Sequence, residues 1–99
     1  MKLALVLSAL CLSACNRVPG ERAADEMNRV VVARIKSGEC TLAQLMDEAF
    51  LRQCRNEALR NLGYNNPEEA KITDAEREKF EARIAVYQKQ WLELVNSRK

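Results

Sequence analysis

Residues 73–94 read TDAEREKFEARIAVYQKQWLEL, and their pattern decides the fold class. Phe80, Ile84, Tyr87, Trp91 and Leu94 recur at intervals of four, three, four and three residues. That spacing lines side chains along one stripe of an α-helix. The stretch opens with Thr73-Asp74-Ala75-Glu76, a capping-box pattern in which a hydroxyl holds the third amide and a glutamate reaches back. Glu81 and Lys89 fall on the wet side. Over two heptads the stripe makes a coiled-coil-like seam. It could serve as core, or as a docking face for another protein or a second copy. Core is the favoured use, because so short a chain needs its aromatics to fold.

Working outward, Tyr64-Asn65-Asn66-Pro67 is a turn, with Pro67 at the first position of one short helical turn. Before it, Thr41-Leu42-Ala43-Gln44 is another capping box. Leu42, Leu45, Met46, Ala49 and Phe50 form an apolar stripe, which Leu59 and Leu62 carry on to Gly63. This predicts one helix over 41–62. Further upstream, Met27, Val30, Val31 and Ile35 predict a helix over Glu21–Ser37, closed by Gly38. Glu21, Asp25 and Glu26 near its start suit the helix dipole. Val30-Val31-Val32 carries strand propensity and pulls the other way. The expected fold is all-α: a small, mostly antiparallel three-helix bundle over residues 21–99.

Chemistry is constrained by what the 99 residues contain. There is no histidine, so the commonest general base and metal ligand is missing. The three glycines are isolated and build no phosphate loop. Glu68, Glu69, Asp74, Glu76 and Glu78 read as solvated and helix-start charge. The bases at Arg17, Arg22, Arg29, Arg34 and Lys36 alternate with acids, so no basic stripe speaks for nucleic acid. The expectation is a chain without catalytic residues, cofactor or metal.

The first fifteen residues, MKLALVLSALCLSAC, differ from the rest: Lys2 is their only charge. Lys2 and the apolar run Leu3–Leu12 have the layout of a secretory signal. The run is far short of the roughly 20 residues a membrane span needs. It ends in Leu12-Ser13-Ala14-Cys15, which resembles the lipobox of bacterial lipoproteins at every position. The resemblance implies cleavage between Ala14 and Cys15, and lipid on the Cys15 sulfur and its new amino group. Ordinary signal cleavage after Ala14 would set Leu12 where a small residue belongs, and Cys11 as acceptor would follow the bulky Leu10. The implied division is a signal peptide over 1–14, a lipidated tether over 15–20 and a helical domain over 21–99. Asn16 is not the aspartate that in enteric bacteria resembles an inner-membrane retention signal. The expected place is therefore the outer membrane, facing the periplasm.

Cys40 and Cys54 remain in the mature chain. An oxidising compartment favours a bridge between them. A continuous helix over 41–62 opposes it, since it sets them about 20 Å apart, whereas a disulfide needs Cα atoms within about 7 Å. Either the helix reverses around Asp47–Leu51, or the thiols are free, or they pair between chains. With no C-x-x-C pair, a thiol-redox role has little support.

In outline the chain resembles the entry-exclusion lipoproteins of conjugative plasmids: a lipobox, a short charged mature chain, and two cysteines, the second opening a Cys-x-Asn-Ala-like run. Here that run is Cys54-Arg55-Asn56-Glu57-Ala58, with Glu57 inserted and a longer C-terminal helix. The resemblance implies a binding module that stops a related plasmid from entering the cell. The seam of residues 80–94 suggests an alternative, a structural or lytic envelope lipoprotein forming a coiled coil, similar to outer-spanin subunits of phages.

Overall fold

The computed structural model describes residues 17–97, so the signal, the cleavage position and Cys15 lie outside the described residues. The fold is all-α. Helix α1 spans Gly20–Ser37, α2 Leu42–Leu45, α3 Glu48–Asn61 and α4 Asp74–Ser97, with a 3-10 turn at Pro67–Glu69 between the last two. No described helix is long and apolar enough to cross a membrane.

The valine run belongs to α1 because the helical period wins over local propensity. Ala23, Ala24, Met27, Val30, Val31 and Ile35 are all buried and share one face. Gly38 ends α1 in the left-handed region (φ 83°). The turn lets the Glu39 N–H reach back to the Arg34 carbonyl at 2.8 Å, a closure a side chain at Gly38 would strain.

The single helix expected over 41–62 is two. The Thr41 capping box forms: the Gln44 N–H donates to Thr41 Oγ1 (3.4 Å), and the Thr41 N–H donates to Gln44 Oε1 (2.8 Å). It starts only the four residues of α2. The chain then turns at Met46, and Asp47 caps α3 by accepting the Ala49 N–H at 3.0 Å. The break needs no Gly or Pro, because a cap satisfies the amides that the interruption frees. It also breaks the expected stripe. Leu45 and Phe50 are buried, whereas Leu42 and Ala49 are exposed and Met46 is 74% exposed.

Successive limbs are antiparallel. Along α1 and α3, Glu26 meets Asn61 and Arg34 meets Glu57. Along α1 and α4, Gly20 meets Glu76, Asp25 meets Arg83 and Asn28 meets Trp91, so the first and last helices run parallel. Helix α1 is the shared wall. Helices α3 and α4 both pack along it but bring no pair of Cα atoms within 8 Å of each other. Helix α2 closes the lower end against both.

The seam residues of α4 face inward. Trp91 is 1% exposed, and Phe80, Ile84, Tyr87 and Leu94 pack half-buried against the same core, which also holds Cys40 and Cys54. The stripe is thus taken up in the fold, and the large apolar residue that α4 leaves outside is Val86, at 57%.

Candidate functional site

The expected tether over 15–20 is not a leash for its described part. Val18 is 4% exposed, packed with Ala23 and Leu59 and against Ile72 and Phe80. Its N–H donates to the Lys71 carbonyl at 3.0 Å, and Arg17 and Lys71 form a parallel bridge. The Tyr64 hydroxyl donates to the Arg17 carbonyl at 2.7 Å. The Gly20 N–H donates to Glu76 Oε1 at 2.8 Å. Three residues, Lys71, Tyr64 and Glu76, therefore hold Arg17–Gly20 to the 62–73 link and the first turn of α4.

That arrangement corrects the Thr73 capping box. Thr73 does its half, accepting the Glu76 N–H at 3.3 Å. The Glu76 carboxylate turns to Gly20 and to Lys79 (3.2 Å). The Gly20 N–H, and after it Lys79, hold the Glu76 carboxyl below the usual carboxylate range. Sequence reading placed Gly20 at the end of the tether. The signal it lacked is spatial: a Cβ on Gly20 would lie 1.9 Å from the Glu76 carbonyl oxygen.

A polar strip continues down the α1–α4 contact. Arg83 is held by Asp25 and Glu21, each at 2.9 Å. The Tyr87 hydroxyl donates to Asp25 Oδ1 at 2.6 Å, and Trp91 Nε1–H donates to Asn28 Oδ1 at 2.8 Å. The hydroxyl of Tyr87, then the Arg83 guanidinium, depress the Asp25 carboxyl, and Asp25 in turn pushes the Tyr87 phenol up. Glu26 is lowered by Arg29 and then Asn61.

These shifts set the pH response. A carboxylate whose pKa falls on folding stabilises the fold fully above its unfolded value of about 4, and loses that contribution as pH drops through the lower folded value. A phenol raised on folding contributes below about pH 10 and loses it as pH climbs. The urea midpoint is therefore expected to fall on acidifying below about pH 4. Asp25→Asn should flatten both this acid limb and the alkaline limb due to Tyr87. An unchanged pH profile in that variant would disprove the role given to Asp25.

Cys40 and Cys54, which the sequence leaves between a bridge and free thiols, both enter the core as free thiols. The break at Asp47 removes the long-helix objection to their proximity. Burial raises both, with Cys54 pushed up to about 11. Such thiols are poor nucleophiles near neutral pH, since the thiolate is the reactive form. Arg34 stands beside them, paired to Glu57 and placed 5.6 Å from the Phe50 ring centre. The Cys54–Ala58 run knits the fold together. Cys54 and Ala58 are buried, Asn56 Nδ2 donates to Glu68 at 2.8 Å, and Glu57 holds Arg34.

Between α3 and α4, where the helices stand apart, lies a half-open cleft of about 280 Å³ floored by Val18, Leu59 and Phe80 and rimmed by Arg55, Glu68 and Arg77. Arg55 Nε is buried there without a partner. Among the described residues no group of three His, Cys, Asp or Glu is placed to hold a metal ion. No protein-family model, curated protein or solved structure matches the chain.

Proposed function

We propose that this is a lipid-anchored, periplasm-facing envelope protein of the outer membrane, acting as a non-catalytic binding module. The observation that carries the reading is Leu12-Ser13-Ala14-Cys15 at the end of a short apolar run. Thiol chemistry accounts for the acceptor, and small side chains before it suit a peptidase that closes on the backbone. Two or three acyl chains on one residue hold firmly, at roughly 0.8 kcal/mol per buried methylene. The membrane, through Cys15, is the first partner, and a second envelope protein is the other.

Within that class the preferred role is exclusion of a related conjugative plasmid, on the resemblance carried by Cys40 and Cys54-Arg55-Asn56-Glu57-Ala58. The coiled-coil alternative is weaker, because Trp91, the largest residue of its seam, packs inside the chain. The test is expression in a recipient cell. Transfer of a related plasmid into that cell should fall by an order of magnitude or more, and Cys15→Ser should restore it while the protein still accumulates. Unchanged transfer of every related plasmid tried would sink the exclusion role. Normal exclusion by Cys15→Ser would sink the anchor's part in it.

A further inference from the structure

How the helical body would sit on a membrane depends on the segment that joins it to Cys15. A lipoprotein on a long, loose tether has no fixed face toward the bilayer. Here the tether is short and built in. Arg17 is bridged to Lys71 and capped by Tyr64, Val18 is buried and bonded to Lys71, and Gly20 is bonded to Glu76. Only Asn16 separates Arg17 from Cys15. Two residue steps of chain reach at most about 7 Å.

We propose that the lipidated protein stands on the bilayer by one end of its bundle, the end made of Arg17–Gly20 and the 62–73 link, with the turn at residues 38–41 and helix α2 directed away. This rests on Cys15 carrying lipid. The 18 residues of α1 set the far end about 27 Å further out. The apposed end is polar and mixed in charge: Arg17, Lys71, Asn65, Glu69 and Asp74 are all exposed. Among its described residues none is an exposed large apolar side chain, and the exposed charges are of both signs. Tether length therefore fixes the orientation, which should be the same on neutral and anionic lipids. A lipid surface is what this end meets, and any protein partner must approach the flanks or the far end.

The test uses the full lipidated protein in phosphatidylcholine vesicles that include lipid with a nitroxide on its headgroup. A tryptophan is introduced at an exposed site on either end, Asn65→Trp or Glu39→Trp, and the buried Trp91 supplies a constant background. Quenching should be several-fold stronger at position 65 than at 39, with or without anionic lipid. Inserting roughly ten Gly/Ser residues between Asn16 and Arg17, with a reach of about 17 Å, should erase most of the difference. Equal quenching at both positions in a protein that floats with the vesicles overturns the orientation and leaves the anchor standing. Loss of flotation at native sequence overturns the anchor and the orientation together.

Discussion

Trp91→Ala is expected to cost about 3–5 kcal/mol, the range for removing a buried aromatic from a core. The indole is the largest fully buried side chain among the described residues. It lies where α4 crosses α1, with the Tyr87 ring stacked at 6.5 Å between centres. A domain of this length commonly has only about 4–12 kcal/mol in total, so the variant should lose a large fraction of its stability and its urea midpoint should fall steeply. Far-UV circular dichroism through a urea titration measures this. Trp91→Phe separates packing from hydrogen bonding. It keeps most of the ring but removes the donor to Asn28, which is half-exposed and can turn to water. Its expected cost is nearer 1 kcal/mol, plus whatever the smaller ring leaves unfilled. A Trp91→Ala midpoint close to that of the parent would contradict the core described above.

Gly20→Ala should be the most damaging small substitution. Its methyl would meet the Glu76 carbonyl oxygen at 1.9 Å and the Phe80 amide nitrogen at 3.1 Å. Both belong to the backbone of α4, which cannot swing aside as a side chain can. Overpacking usually costs about 1–3 kcal/mol and sometimes more. A clash this close puts the expected value at or above the top of that range. The effect should also be local. Forcing α1 and α4 apart breaks the Gly20–Glu76 bond and loosens Val18. The Val18 amide, which donates to Lys71, should lose its protection from hydrogen exchange, while amides near Ile35 keep theirs. Retention of Val18 protection in a folded variant would show that the N-terminal segment is held by something other than this contact.

The helical class and three of its limbs were legible because periodicity is a local property. Phe80 to Leu94 and Met27 to Ile35 each repeat at the helical interval, and the body has room for one core. Both capping boxes were visible, yet only Thr41–Gln44 closes in full. Glu76 has the right residue type and spacing, but Gly20, 56 residues away, presents a competing amide. The break at Met46–Asp47 was hidden for another reason. Its cap, Asp47, is an ordinary charged residue within a run that otherwise suits a helix, and the exposure of Met46 is known only once the packing is. The α1–α4 strip of Asp25, Arg83 and Tyr87 was illegible for the same cause as the Gly20 contact. Nothing local ties residue 25 to residue 83, and the pairing follows only from two helices laid parallel in this register. The resemblance of Leu12–Cys15 to a lipobox is of another kind: it is a linear pattern that rests on the sequence alone.

The bond between Gly20 and Glu76 also imposes an order in time. It joins the start of α1 to the last described helix, so it cannot close before that helix has been delivered. Contacts between distant parts of a chain form late, after the closure entropy of the intervening segment has been met. If the chain is exported as proposed, residues 17–20 lack these partners until α4 arrives. An enzyme of the proposed lipidation pathway, acting at that stage, would meet a substrate not yet pressed against a folded body. Once α4 docks that freedom is gone, and a chain bearing the proposed lipid on Cys15 would only then acquire a posture.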